Sequence, residues 1–299
     1  MKHARLKTVH LNILNRFTGI LVTALLLSGC SMGTMVVRGT ESIMDSSIDA
    51  MNRETDLELA REAMPTNLKL LEGMLVEEPG NTTMRIYAAQ GFYGYAYGFI
   101  EAEDPLRAAQ IYRRCYEHAR IALAQTGVNI DPEAATPAEF EAVVGKAGQK
   151  AVPALFWSST CLSNWINMNR DRPTGIAELS TAATMMRRVL ELDETFYYGG
   201  AHMFFGVYYG GRSPMFGGNY ALSEQHFVRA AEINDNKLLL VDLLYAEYLS
   251  RQKLDRVSFH DRLTHVLDAP VDLYPEMALV NEIARVRAER LLEHESDWF

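Results

Sequence analysis

Hydrophobic and polar positions follow a helical period along almost the whole chain after residue 42. The clearest example is the helix expected over Tyr220 to Ile233, which separates one apolar face from one polar face. Leu222, Phe227, Ala230 and Ala231 lie on the apolar face, and Glu224, Gln225, Arg229 and Glu232 lie on the polar face. No stretch alternates convincingly with period two, so the pattern predicts an all-α fold of about ten or eleven helices.

A helix with almost no polar positions precedes this one. The stretch from Gly200 to Tyr209 is apolar and aromatic, and a second helix can approach closely at the small residue Gly206. A glycine-rich insertion, Gly210 to Gly218, joins the two helices. The sequence therefore predicts a helical hairpin with an enlarged loop.

The same helix pattern occurs once before, over Ile176 to Asp193. Ala182, Met186 and Val189 stand there in the places that Ser223, Phe227 and Ala230 take in the later helix, and each pair is 41 positions apart. The tetratricopeptide (TPR) repeat has a period of about 34 residues, and the insertion at Gly210 accounts for the excess. This spacing indicates irregular TPR-like helical-hairpin repeats, packed into one compact domain over residues 42–299.

Residue types at the expected helix ends support these boundaries. Asp104 before Pro105 predicts an N-cap followed by a favourable first position. Thr136 and Glu139 have the spacing of a capping box. Three further prolines are predicted to begin helices: Pro65, Pro153 and Pro275.

The first 29 residues are predicted to be a secretory signal peptide. Four basic residues precede an apolar run from Phe17 to Leu27, which is shorter than the roughly 20 residues that a membrane-spanning helix needs. The run ends in Leu27-Ser28-Gly29-Cys30, which resembles the bacterial lipobox. That resemblance implies cleavage before Cys30 and a lipidated N-terminal cysteine. The alternative is an ordinary signal peptide with an incidental cysteine.

The segment after the cleavage site is expected to anchor the protein. Residues 30–41 are predicted to form a short lipidated tether. Ser31 is not the aspartate that usually marks inner-membrane retention, so by analogy the periplasmic face of the outer membrane is favoured over the inner membrane.

Charge restricts the classes of partner. Residues 1–29 contain four Lys and Arg residues and no acidic residue, so their removal changes the net charge from −9 to −13. Nucleic acid would be repelled by this charge, and acyl chains rather than a basic patch are expected to hold the protein at the membrane. Cys115 and Cys161 lie in apolar helical patterns and are expected to be buried free thiols rather than a disulfide.

Candidate catalytic chemistry is sparse. The insertion at Gly210 lacks the Gly-Lys-Ser/Thr ending of a phosphate-binding loop and follows a helix rather than a strand. His260 and His265 are five positions apart and do not share a helical face, so no metal site is predicted. No catalytic triad is recognisable. The sequence thus predicts neither an enzyme nor a cofactor.

Aromatic residues are concentrated on helices around the insertion and predict a ligand cavity. Its expected lining is Trp157, Trp165, Tyr208, Tyr209 and Phe216, with Arg212 placed to bind a carboxylate. Core packing of the rings and a solvated loop arginine are the alternatives.

Several blocks, taken together with the lipobox, resemble one family. They are LEGMLVEEPGNTTMRIYAAQGFYGYAYGFIEAEDPLRAAQIYRRCYEHA, VPALFWSSTCLSNWI, HMFFGVYYGGRSPMFGGNYALSEQHFVRAAEI and LLYAEYL. The chain resembles the TatT family, the T component of tripartite ATP-independent periplasmic (TRAP) transporters. The resemblance implies a non-catalytic TPR-like lipoprotein that docks the transporter's substrate-binding (P) component. It also implies a homotrimer with a cavity or pore through each protomer, through which ligand reaches the partner.

Two functional classes stay open at this point. The first is the transporter accessory, whose cavity takes an apolar or carboxylate ligand. The second is a general TPR-type scaffold lipoprotein for envelope protein assembly, which would bind extended peptide in a long groove.

Overall fold

The computed structural model describes residues 32–169 and 175–299, and every regular element in these two ranges is helical. Fourteen α-helices lie there, more than expected from the sequence because several are short. They are α1 (Met32–Gly39), α2 (Glu41–Asn52), α3 (Leu57–Glu77), α4 (Thr82–Tyr95), α5 (Pro105–Gln125), α6 (Pro137–Val144), α7 (Val152–Asn167), α8 (Gly175–Leu192), α9 (Phe196–Gly210), α10 (Tyr220–Ile233), α11 (Leu240–Leu244), α12 (Arg256–Asp268), α13 (Ala278–Glu293) and α14 (Glu295–Trp298). The predicted all-α fold is confirmed.

Shorter helical segments join these elements. Three are 3-10 helices, Gln149–Ala151, Pro214–Phe216 and Pro275–Met277. Two are π-helical and directly continue an α-helix: Ala96–Ile100 after α4 and Tyr245–Ser250 after α11.

Residues 42–299 form one compact unit, and the described residues 32–41 belong to a separate unit. The described part of the expected tether, residues 32–41, is helical. The signal peptide of residues 1–29 and the lipidation site Cys30 lie outside the described residues. In the part of the chain that is described, no helix has the length and apolar character needed to cross a membrane.

Polar side chains begin the helices where the sequence predicted them. The Asp104 carboxylate accepts the backbone N–H of Arg107 at 2.9 Å, with Pro105 at the first helical position. Thr136 and Glu139 form the reciprocal capping box at the start of α6. These contacts satisfy N–H groups that the first helical turn leaves without a backbone partner.

The prolines behave differently from one another. Pro153 lies in the first turn of α7, and Pro275 begins the 3-10 helix before α13, as predicted. The prediction that Pro65 begins a helix was wrong: α3 starts eight residues earlier, where the Asp56 carboxylate accepts two backbone N–H groups. Pro65 lies inside α3, and burial of Met64 and other side chains on both sides of it offsets the cost of an interior proline, about 3 kcal/mol.

Close contacts hold the helical hairpins together. A Cβ atom at Gly206 would lie 2.6 Å from the Phe227 ring, which confirms the predicted close approach of α9 and α10. The Ser223 hydroxyl donates to the Gly206 carbonyl at 2.7 Å. In the preceding hairpin the Ser159 hydroxyl donates to the Ala182 carbonyl at 2.7 Å. The two hairpins thus use similar backbone contacts, while their TPR-like character stays a prediction.

Cys115 and Cys161 form a disulfide, so the expectation of two free thiols was wrong. The cysteines are 46 positions apart and belong to α5 and α7, which pack directly against each other. Their Cα atoms are 5.7 Å apart, within the usual range for a disulfide. Each cysteine is buried, as predicted, but the sequence pattern did not show which helices pair.

Candidate functional site

A cavity of about 420 Å³ lies between α7 and α9, and we call it the outer chamber. Its aromatic wall includes Tyr93, Tyr97, Phe156, Trp157, Tyr197 and Tyr248. Its polar wall is formed by Thr160, Ser163, Asn164, Asn167 and Arg212. This volume is in the range of small-molecule binding sites, which combine apolar walls with a few polar groups.

The polar and aromatic parts of the outer chamber occupy opposite ends of one helix face. Phe156 and Trp157 lie near the start of α7, and Asn164 and Asn167 follow at helical spacing near its end. The start of α9 meets the same aromatic end, because a Cβ atom at Gly200 would lie 2.5 Å from the Phe156 ring. The chamber is therefore amphipathic along its length.

Arg212 carries the positive charge among the polar lining residues of the outer chamber. Its Nε and Nη2 atoms donate to the Tyr208 carbonyl at 3.1 and 2.8 Å, and its guanidinium carbon lies 4.0 Å from the centre of the Tyr208 ring. Within residues 32–169 and 175–299, no carboxylate forms an ion pair with Arg212. A guanidinium fixed in this way is suited to bind an anionic ligand.

The two π-helical segments carry Tyr97 and Tyr248 into the wall of the outer chamber. Arg287 holds the first segment: its Nη1 atom donates to the Tyr97 carbonyl at 3.1 Å, and its Nη2 atom lies 3.2 Å from Glu101 Oε1 and 3.9 Å from Glu247 Oε2. Burial alone would lower the pKa of Arg287, but Tyr97, Glu247 and Glu101 together raise it above its ordinary value. A buried, permanently charged group thus fixes the chamber wall.

Three tyrosine hydroxyls of this wall, those of Tyr93, Tyr97 and Tyr197, stay protonated at neutral pH. Burial raises the pKa of Tyr93, Tyr97 and Tyr197 well above the ordinary tyrosine value. The Tyr97 hydroxyl is fully buried and finds no hydrogen-bond partner among the described residues.

A second cavity of about 160 Å³ lies beyond the first, and we call it the inner chamber. Apolar side chains from α2, α3 and α13 contribute to its lining, among them Met44, Ile48, Met64, Leu68, Val280 and Ile283. Five residues line both chambers: Tyr93, Tyr97, Tyr197, Met203 and Leu240. These five form the wall between the chambers, which we call the partition.

Three of the six residues predicted to line a cavity lie at the outer chamber. These are Trp157, Tyr208 and Arg212. The prediction did not include Tyr93, Tyr97, Tyr197 or Tyr248. A possible signal for two of them is the Tyr-Ala pair at Tyr95 and again at Tyr245, which introduces each π-helical segment.

The structure places the other three predicted residues away from both chambers. Trp165 is eight positions after Trp157, about 80° around the helix, and packs against the Arg113 guanidinium at 5.2 Å. Tyr209 stacks on Phe205 with ring centres 5.9 Å apart. Phe216 lies in the 3-10 helix of the insertion and is 78% exposed.

The described residues contain no group of three His, Cys, Asp or Glu side chains arranged to hold a metal ion.

Comparison with known proteins gives one family. Residues 53–299, most of the chain, match the model of the family described as TAtT, the TRAP transporter T-component. No curated protein matches the chain significantly.

Proposed function

Since the chain belongs to the TRAP transporter T-component family, we propose that its outer chamber binds an amphipathic carboxylate and exchanges it with the transporter's substrate-binding component. The family is a periplasmic accessory of a transporter and is not a known enzyme family. The observation that carries the proposal is the outer chamber, which is lined by aromatic rings and by Arg212, an arginine that forms no ion pair with a carboxylate of the described residues.

The proposed ligand is amphipathic because the chamber is lined both by a charged side chain and by aromatic rings. A carboxylate would gain charge-assisted hydrogen bonds from the Arg212 guanidinium, and Asn164 adds a further polar side chain to the lining. An apolar body would lie against Trp157 and Tyr97, where burial of each CH₂ group contributes about 0.8 kcal/mol. A short, fully polar solute would leave this aromatic end unfilled.

The wider setting is also part of the proposal. Lipidation at Cys30 would attach the protein to the periplasmic face of the outer membrane, and the lipobox supports this assignment. The substrate-binding (P) component would dock on the protein, which would assemble as a homotrimer with an internal cavity in each protomer. Family membership supports the association with the transporter.

Calorimetric titration with decanoate and with decanol tests the ligand class. We expect decanoate to bind more tightly than decanol to the parent protein. Arg212→Gln should weaken decanoate binding about tenfold or more and leave decanol binding within about twofold, because only the carboxylate uses the guanidinium. Arg187→Gln, an exposed arginine on α8, is the matched control and should behave as the parent. Failure of both compounds to bind would overturn the proposal.

Capture from periplasmic extract tests the partner. The protein, immobilised at its C-terminus, should retain a TRAP-type substrate-binding protein, identified by mass spectrometry. Retention of envelope assembly proteins or extended peptides, without a substrate-binding protein, would favour the scaffold function instead.

A further inference from the structure

Tyr197 is one of the five residues that form the partition between the two chambers. Its ring meets the Trp157 ring edge to face at 4.9 Å, on the side of the outer chamber. Its hydroxyl is hydrogen-bonded to the side chain of Gln90, which lines the inner chamber. One side chain therefore extends across the wall from one chamber to the other.

The backbone that carries Tyr197 has an unusual conformation. Tyr197, Tyr198 and Gly199 all lie in the left-handed region, with φ values of 49°, 60° and 81°. Residues other than glycine rarely adopt this region, and bulky side chains there mark a conformation that the surrounding structure must enforce. Two consecutive tyrosines in this state indicate that the direction of these side chains matters to the protein.

Neighbouring elements enforce this conformation. The Gly199 N–H donates to the Thr195 carbonyl at 3.3 Å, and the Asn234 side chain donates to the Tyr198 carbonyl at 3.4 Å. The Tyr198 ring meets the Tyr274 ring edge to face at 5.7 Å and lines neither chamber. The two adjacent tyrosine rings contact each other edge to face at 5.8 Å, but only Tyr197 lines the chambers.

We propose that Tyr197 closes the inner end of the outer chamber and thereby sets the longest ligand that the protein accepts. This inference rests on the proposed function, in which the outer chamber binds an amphipathic carboxylate. With the carboxylate held at Arg212, the alkyl chain extends toward the partition and stops at Tyr197. Removal of the ring joins the outer chamber to the apolar inner chamber, so a longer chain can enter.

A series of straight-chain carboxylates from hexanoate to tetradecanoate, titrated calorimetrically below their micelle concentrations, tests the inference. For the parent protein, affinity should rise about fourfold with each added CH₂ group and then reach a plateau when the outer chamber is full. Tyr197→Ala should remove the plateau, so that tetradecanoate binds at least about tenfold more tightly than to the parent, while hexanoate binding changes less than about twofold.

Two further variants distinguish an effect of the Tyr197 ring from an effect of the left-handed backbone. Tyr198→Ala changes the same left-handed run and removes a ring that packs on Tyr197 but lines neither chamber, so it should keep the parent's plateau. Tyr197→Phe keeps the ring, loses only the hydroxyl and should also keep the plateau. If Tyr197→Ala does not fold, as judged by its thermal transition, Tyr197→Leu supplies the smaller side chain and should shift the plateau to longer chains.

The outcomes distinguish this inference from the proposed function. If the parent binds carboxylates but shows no plateau, or if Tyr197→Ala, or Tyr197→Leu in its place, keeps the parent's plateau, the inference is overturned and the proposed function stands. An equal change in Tyr198→Ala would also overturn it, because the effect would then come from the backbone. If no carboxylate binds the parent, the proposed function fails and the inference fails with it.

Discussion

The Nδ1 atoms of His202 and His226 lie 3.0 Å apart across the contact between α9 and α10. One of these nitrogens must lack a proton for the hydrogen bond to form, so the two imidazoles cannot both be charged without losing it. Burial and the neighbouring His202 lower the pKa of His226 to about 4, and burial lowers the pKa of His202. Hydrogen bonds from Arg229 and His202 lower the pKa of Glu194 to about 2, so this carboxylate stays charged beside the pair.

This arrangement predicts a loss of stability in weak acid. An unfolded histidine takes up its proton near pH 6.5, whereas folded His226 does so only near pH 4, so the unfolded state binds more protons between these values. The free energy of unfolding should therefore fall as the pH falls through this window. Because His226 is only partly buried, solvent screening reduces the expected loss to about 1 to 2 kcal/mol.

His226→Phe provides the comparison, because it removes the titrating group and keeps a ring stacked against Phe205. Urea unfolding from about pH 7 down to about pH 4 should show a smaller decrease for the variant than for the parent. The prediction would be contradicted if the free energy of unfolding decreased by the same amount in both proteins over this pH range.

The same substitution at two helical glycines should have opposite effects. At Gly206 the added Cβ atom would lie 2.6 Å from the buried Phe227 ring, so Gly206→Ala should lower the free energy of unfolding by about 1 to 3 kcal/mol. At exposed Gly73 in α3 nothing lies within 4 Å, so Gly73→Ala should raise it by about 0.5 to 1 kcal/mol through helix propensity. Chemical denaturation of both variants measures the sign of each change in the free energy of unfolding. If both changes had the same sign, the close packing at Gly206 would be contradicted.

The sequence predicted those features of the fold that depend on neighbouring residues. Capping by Asp104 and Thr136 and the close approach at Gly206 each follow from residue types within one or two helices. The start of α3 was predicted wrongly because proline is common in the first turn of a helix. Here Asp56 caps the helix eight residues earlier, and packing on both sides of Pro65 keeps the helix continuous.

Features that depend on distant pairings were not predictable in this way. The Cys115–Cys161 disulfide requires knowledge that α5 packs on α7, which no local pattern contains. In the outer chamber, Trp157 was predicted from the density of aromatic residues on its helix, and Arg212 from its place in the glycine-rich insertion. The number of aromatic residues on a helix does not show which way each ring points. Tyr197 reaches the partition through a left-handed backbone that helical periodicity does not anticipate.

The buried cation behind the outer chamber should be essential to stability. Arg287→Met would leave Glu101 and Glu247 without the guanidinium that pairs with both, and should lower the free energy of unfolding by about 3 to 5 kcal/mol. Arg53→Met is the control, since that residue forms an exposed ion pair with Glu276 and should cost less than about 1 kcal/mol. Urea unfolding measures both changes. If the two variants lost the same free energy of unfolding, Arg287 would contribute no more to stability than an exposed arginine.

The disulfide should stabilise the pairing of α5 with α7. It closes a loop of 46 residues, so its removal in a Cys115→Ala/Cys161→Ala variant should lower the free energy of unfolding by about 2 to 4 kcal/mol. Both side chains are fully buried and alanine fits the space that each leaves, so most of the loss should come from the greater freedom of the unfolded chain. Addition of a reductant should therefore destabilise the parent by a similar amount and leave the double variant unchanged. Equal denaturation midpoints for the parent with and without reductant, after complete reduction is verified by thiol titration, would show that the bond does not stabilise the fold.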